Sequence, residues 1–280
     1  MVNFGGIPEK YTVLEKSRIV ILPVPYDETS TWIKGSDKGP EAILEASTQV
    51  ELYDIETERE IYKAGIYTAD PITENSSPKK MINSVYSKVI SHLKHNKFVV
   101  VIGGEHSVSI GSVIAHAENY DDFCVLQLDA HGDLRQKYEG SIYNHACVMA
   151  RIREVAPFVQ LGIRSICKEE LDYMTTENVF WAKDIIGNNS WMDKAIDKLK
   201  ENVYITIDLD VFDPSIMPST GTPEPGGLMW YETIEFLKKL NSKKNIVGFD
   251  IVELCPNEQN KGPDFLAAKL LYSLLSIRFQ

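Results

Sequence analysis

Short apolar runs alternate with amphipathic stretches along the whole chain. The runs Ile19–Val24, Phe98–Ile102, Phe123–Leu128, Phe158–Gly162, Asn178–Trp181, Val203–Leu209 and Asn245–Ile251 are rich in Val, Ile and Phe and nearly continuous in hydrophobicity. A strand covered on both faces reads this way, so the runs predict a parallel sheet. Between them the period becomes helical. Pro40 suits a first helical turn, with Glu41–Ala46 behind it. From Pro78 to His95, residues Ile82, Val85, Val89 and Leu93 recur at helical spacing, and Tyr231–Leu240 and Asp264–Leu275 repeat the pattern. This alternation predicts an α/β fold with helices on both faces of one sheet. The chain reads as one domain, without internal repeats or a long linker. The stretch Asp70–Pro78, with Pro, Asn and two Ser, reads as a surface loop.

Composition narrows the partners. Of 280 residues, 44% are apolar and 25% charged, the balance of a globular chain large enough to fold without disulfides or a structural metal. Lys plus Arg is 29 against 40 for Asp plus Glu, a net charge of −11. That argues against binding nucleic acid or an anionic membrane, which needs a cationic footprint, and is compatible with a cationic substrate. No apolar run approaches membrane-spanning length, and the start MVNFGGIPEKYT lacks a signal-peptide core. Cys124, Cys147, Cys167 and Cys255 stand far apart with no CxxC, the expected pattern for reduced thiols in a cytoplasmic protein.

Candidate chemistry gathers where strands end. Of six histidines, His92, His95 and His116 fall in helix-like segments and read as solvated helix residues. The strand ending at Ile102 runs into Gly103-Gly104-Glu105-His106-Ser107, where paired glycines permit a tight turn before a histidine. The strand FCVLQL ends in Asp129-Ala130-His131-Gly132-Asp133. Asp129, His131 and Asp133 stand at i, i+2 and i+4, a spacing that puts side chains on one side of an extended backbone. A third strand closes with Asp208 and Asp210, again sharing a face. Two buried carboxylates this close repel one another, and a bound cation removes the difficulty. Asp213, before Pro214, reads as a turn former. The three ends together offer two imidazoles and four carboxylates, at the carboxyl ends of strands where open α/β sheets bind ligands. Four aspartates and two divalent ions sum to about zero charge. Six side chains serve two ions only if some carboxylates bridge. Oxygen-rich ligation with one histidine per ion and no thiolate favours Mn²⁺ over Mg²⁺, Fe²⁺ or Co²⁺, with Zn²⁺ left open.

The segments GGEHS, DAHGDLR and ITIDLDVFDPSIMPSTGTPEPGG resemble, in order and spacing, the three signatures of the ureohydrolases, the arginase and agmatinase family. The similarity runs from roughly Ile19 to the C-terminus. It implies a single three-layer αβα domain over residues 1–280 with a mainly parallel central sheet and two Mn²⁺ per chain. Carried over residue by residue, one ion is held by His106, Asp129, Asp133 and Asp208. The other is held by Asp129, His131, Asp208 and Asp210, so that Asp129 and Asp208 bridge. His145, in Tyr143-Asn144-His145-Ala146, is similar to the family's proton-shuttling histidine. Glu253 is similar to the acid that binds the substrate guanidinium, and Asp250 reads as a residue that orients a ligand from behind. Without the resemblance, His145 reads as a helix-start histidine and Glu253 as a solvated strand-end acid.

Within the family, Asp133–Gly140, Tyr26–Ser30 and Lys38–Glu41 resemble bacterial agmatinases. The longer Asn- and Ser-bearing loop of arginases, which holds an α-carboxylate and α-amino group, is absent from the sequence. Asn144 departs from the Ser that agmatinases often carry there. The implied reaction is hydrolysis of agmatine to putrescine and urea by a hydroxide bridging the ions, in a homo-oligomer, a trimer or hexamer by resemblance. A ureohydrolase acting on guanidinobutyrate or another guanidino compound is the nearest alternative. Arg135 and Lys137 suit a carboxylate tail and Glu139 an ammonium tail, according to which points inward. A catalytically silent metal-binding scaffold is the alternative of a different class, and the presence of all six ligand candidates weighs against it. A binuclear phosphoesterase would need a cationic phosphate cradle that the sequence lacks. The segment Ser219–Gly227 reads as a rigid Pro/Gly loop beside the site.

Overall fold

The structure is a computed structural model and describes residues 2–280. Eight strands form one sheet: β1 (Ile19–Val24), β2 (Ile66–Thr68), β3 (Phe98–Gly103), β4 (Phe123–Leu128), β5 (Phe158–Ile163), β6 (Val179–Trp181), β7 (Asn202–Asp208) and β8 (Asn245–Val252). Their order is β2-β1-β3-β8-β7-β4-β5-β6, and every pairing is parallel. Seven of these strands match the apolar runs to within a residue or two. The eighth, β2, lies outside them; it is three residues long at the sheet edge, with Tyr67 and Thr68 half-buried.

Among the described residues eight α-helices flank the sheet: α1 (Gly39–Ser47), α2 (Pro78–Leu93), α3 (Ser109–Asn119), α4 (Val148–Ile152), α5 (Ala182–Ile185), α6 (Trp191–Asp197), α7 (Trp230–Lys243) and α8 (Gly262–Arg278). Alternation along β1 sorts the layers. Ile19 and Ile21 join an apolar cluster with Ile43 and Leu44 of α1, Leu237 of α7 and Leu271 of α8. Val20, Leu22 and Val24 join the opposite cluster with Val85 of α2, Val113 of α3 and Ile152 of α4. The result is an α/β sheet between two helical layers. Each fully buried Ile, Leu or Val stabilises it by roughly 1.5–3 kcal/mol, and all four cysteines are free. Among the described residues no helix is long and apolar enough to cross a membrane.

The expectation that His116 is a solvated helix residue is corrected. It is fully buried on α3, its ring 4.6 Å from that of Tyr204. Gly248 on β8 makes the room, since a Cβ there would lie 2.3 Å from His116 Nε2. Burial pushes the imidazole down to about 4, so it packs as a neutral ring. His92 is half-buried on α2, and His95 is exposed in the turn just past its end.

Sheet order explains why three distant motifs meet. Strands β3, β8, β7 and β4 are consecutive neighbours, and Ile102 pairs with Ile251, Asp208 with Val252, and Leu128 with Ile207. The residues that follow these pairs therefore leave the sheet side by side at its carboxyl edge. The turn after β3 needs Gly104, where a Cβ would sit 2.1 Å from the carbonyl oxygen of Tyr26. That approach lets the Glu105 N–H donate to the same carbonyl at 2.8 Å.

Candidate active site

Two groups of side chains converge at this edge. His106, Asp129 and Asp208 form one buried triad, and Asp129, His131 and Asp210 form another. Within each, one ligand atom per residue lies within 4.8 Å of the others. His106 Nδ1 faces Asp129 Oδ2 at 3.2 Å, Asp133 Oδ2 at 3.0 Å and Asp208 Oδ2 at 3.4 Å. His131 Nδ1 lies 2.8 Å from Asp210 Oδ2 and 3.6 Å from Asp129 Oδ1. Asp129 thus turns one oxygen to each histidine and is common to both triads, whereas Asp208 groups with the first alone. All six predicted ligand residues are in one place. Asp133 arrives differently from the expected strand pleat. Its φ is 52°, so a left-handed turn, not an extended backbone, brings it back beside His106.

The donor set fits a cation. His106 Nδ1 is buried without a hydrogen-bond partner, although three carboxylate oxygens surround it. Its other nitrogen, Nε2, is 2.8 Å from Thr206 Oγ1, whose hydroxyl donates to Asp250 Oδ1 at 2.7 Å. A hydroxyl that gives its proton to Asp250 accepts at its oxygen, so Nε2 carries a proton, and in the neutral imidazole, the form that ligates a metal, Nδ1 presents its lone pair to the carboxylates. A lone pair facing anionic oxygens is repulsive with nothing positive between them, and a divalent ion there is ligated by all of them. Asp250, fully buried, also accepts from Tyr204 Oη at 2.8 Å.

Charge balance points the same way. Burial, then Asp210 and Asp129, push the Asp208 carboxyl well above its usual range. Burial and Asp129 push Asp133 up to about 7. Burial works against protonating His131, but Asp210 and Asp129 outweigh it and push the imidazole up to about 12. The cluster needs positive charge, whether from protons or from metal.

A cavity of about 240 Å³ opens over the triads, lined also by His145, Glu253, Arg135 and Trp32. Glu253 follows β8 with a φ of 67°, a left-handed conformation rare for a side chain of its size. Its Oε1 accepts from the His106 backbone N–H at 2.7 Å. Burial and the nearby Glu105 push its carboxyl well up. Glu253 is therefore a part-buried acid held against the site, not the solvated strand-end residue its local sequence suggests. His145 begins a single 3₁₀ turn (His145–Cys147), capped by Asn144, whose Oδ1 accepts from the Ala146 N–H at 3.0 Å. Burial pushes the His145 imidazole down to about 4. Arg135 lines the cavity with its guanidinium 4.5 Å from the Tyr138 ring, whereas Lys137 and Glu139 are exposed away from it.

Several supporting residues escape a motif-based reading. Gln127 Nε2 donates to Asp129 Oδ2 at 2.7 Å, and Gln160 Nε2 to Gln127 Oε1 at 2.6 Å. Both are polar positions inside otherwise apolar strands, a signal visible in the sequence. Arg164 donates to the carbonyls of Asp210 at 2.6 Å and Glu224 at 2.8 Å, fastening the Ser219–Gly227 loop to the strand end. Asp213 is the expected turn former, accepting from Ser215 N at 3.0 Å and Gly226 N at 2.9 Å. Glu105 and Thr29 were also unforeseen. Glu105 is fully buried, accepts from the Thr29 N–H at 3.1 Å and from the Thr29 and Ser107 hydroxyls, and is pushed by burial up to about 7.

Comparison with known proteins agrees with this geometry. The family model for the arginase family matches residues 17–276. The chain is 42% identical to the N(1)-aminopropylagmatine ureohydrolase of Synechocystis sp. over 95% of this chain and 91% of that one. It is 37% identical to the protein of the same name from Thermus thermophilus, over 96% and 93%. Its structure is similar to the crystal structure of the agmatine ureohydrolase of Thermoplasma volcanium, with a TM-score of 0.86, 32% identity, and coverage of 95% and 92%. The chain belongs to the arginase family. It is a metal-dependent ureohydrolase of guanidino compounds, and its two buried His/Asp triads are consistent with the binuclear metal site typical of that family.

Proposed function

We propose that this ureohydrolase acts on a linear cationic guanidine, agmatine or agmatine extended by an N1-aminopropyl group, with Mn²⁺ as its working metal. The products are urea and putrescine, or urea and aminopropyl-putrescine. The observation that carries the reading is the presence, in one cavity, of both triads and of a carboxylate, Glu253, that belongs to neither. Similarity to relatives named for N(1)-aminopropylagmatine favours the extended substrate.

In this reading His106, Asp129, Asp133 and Asp208 would hold one ion, and Asp129, His131 and Asp210 the other, with Asp208 the second bridging carboxylate if it reaches across. When bound, two divalent ions lower the pKa of water toward neutrality and balance the four aspartates. That leaves Glu253 as uncompensated negative charge, suited to paired charge-assisted hydrogen bonds with a planar guanidinium. Glu253 thereby fixes the carbon to be attacked relative to the triads. His145 moves a proton to the leaving amine, the general-acid role.

The tail sets the substrate class. With the four aspartates balanced by ions, Arg135, the one Lys or Arg side chain lining the cavity among the described residues, stands against Glu170 and Glu253. Its guanidinium stacks on Tyr138, and the two glutamates outnumber it. A guanidino acid such as guanidinobutyrate is the second reading, and Arg135 is the observation in its favour. Urea release from agmatine, its aminopropyl derivative, guanidinobutyrate and arginine after Mn²⁺ loading decides between them. The expected result is kcat/KM for the two polyamine guanidines exceeding that for arginine by at least about 10²-fold, as ~3 kcal/mol of unpaired carboxylate would give. Equal turnover of arginine, or guanidinobutyrate as the best substrate, refutes the proposal.

A further inference from the structure

We infer that Thr29 and Glu105 act as positioning residues that hold His145 in the tautomer protonated at Nδ1, leaving Nε2 as the nitrogen that exchanges protons in the cavity. The inference rests on the reading of His145 as the proton-moving group. It adds how the chain prepares that group.

Strands β1 and β3 are neighbours, and Val24 pairs with Gly103, so the loops that follow them leave the sheet together. Thr29 sits in the first loop and Glu105 in the second, 76 positions apart in sequence. Glu105 is fully buried and receives three donors: the Thr29 N–H and the hydroxyls of Thr29 and Ser107. Ionised, Glu105 only accepts, and its Oε2, which takes the Thr29 N–H, also takes the single Thr29 hydroxyl proton. The Thr29 oxygen then has only lone pairs for its other neighbours. One receives the backbone N–H of His145 at 3.0 Å. The other faces His145 Nδ1 at 3.3 Å, so that nitrogen must be the donor. Glu105 itself stands 3.9 Å from Nδ1, near enough to favour a proton there.

A neutral imidazole protonated at Nδ1 has its lone pair on Nε2. His145 lines the cavity, and Thr29 occupies its Nδ1 side, so Nε2 is the nitrogen left for the cavity. The Tyr138 ring, edge-on at 5.9 Å, flanks the imidazole. Nε2 is thereby ready to take up a proton and pass it to the leaving amine, without first exchanging tautomers. Loop fastening alone would be served by the His145 N–H bond and would not require the contact at Nδ1.

The test has a spectroscopic and a kinetic arm. In the Zn²⁺-loaded protein, a diamagnetic form, ¹⁵N-histidine labelling reads the tautomer of each of the six imidazoles. His145 is expected to be protonated at Nδ1 in the wild type and in Thr29→Ser, and to lose that preference in Thr29→Val. In the Mn²⁺ enzyme, Thr29→Val is expected to lower kcat at least about tenfold, with KM and ion content unchanged, while Thr29→Ser stays within about threefold of wild type. Added to His145→Ala, Thr29→Val should cost nothing more, because it acts through the imidazole. An Nε2-protonated His145 in the wild type overturns the inference. So does a Thr29→Val loss that is equally large in the His145→Ala background, which marks a purely structural role. If His145→Ala keeps full kcat, the reading of His145 falls and the inference with it. If His145→Ala is impaired but Thr29→Val is not, only the inference falls.

Discussion

The Glu253 carboxylate accepts a 2.7 Å hydrogen bond from the backbone N–H of His106, tying the end of β8 to the turn after β3. One oxygen is thus committed to the backbone that places the first imidazole, and the acid is aimed by the same turn. Glu253→Gln separates charge from shape. The amide oxygen can still accept from His106, so both ions should stay, while the charge-assisted contact with a guanidinium is lost. A loss of about 1.5–3 kcal/mol in that contact corresponds to roughly 10–100-fold in kcat/KM. Steady-state kinetics with parallel elemental analysis check this. Loss of the metal from Glu253→Gln would show that the residue serves the cluster instead.

Behind His106, the chain Asp250–Thr206–His106 sets which ring nitrogen is free to ligate. Thr206→Val keeps the volume and removes the hydroxyl. The expected outcome is a metal affinity lower by roughly 10–100-fold, the usual cost of losing a group that orients a ligating histidine. Competition with a metal-chelating dye reads it directly. Unchanged affinity would mean that packing alone orients the ring.

Burial holds the His145 imidazole at about 4, against 6.5 for an exposed one. Between those values the unfolded chain binds the proton and the native protein does not. Stability therefore rises with pH across the window and is lost as pH falls from about 6.5 toward 4. NMR titration of the labelled imidazole should give a midpoint near 4. His145→Asn should flatten that part of the stability curve in urea denaturation. A midpoint at 6.5 or above would contradict the buried, neutral imidazole.

Much of this arrangement is legible in the sequence, for a physical reason. Strands buried on both faces must be apolar, so a carboxylate or imidazole placed where such a run ends stands out, as Asp129, His131, Asp208 and Asp210 do. What stays hidden depends on tertiary neighbours. His116 is interior because Gly248, on a strand more than a hundred residues away, leaves it room. Glu105 and Thr29 meet only because β1 and β3 are adjacent. His145 sits on a single 3₁₀ turn with no periodicity to mark it, and family resemblance alone singled it out. Gln127 and Gln160 were visible as polar interruptions of apolar strands, yet nothing local says what they bond.

Six side chains from three strand ends are expected to hold two ions around a shared Asp129. Anomalous diffraction from crystals of the Mn²⁺-loaded protein tests it most directly. Two peaks per chain are expected, one beside His106 and Asp133 and one beside His131 and Asp210, with Asp129 contacting both. A single peak in fully active crystals, or a second peak away from His131 and Asp210, would contradict it.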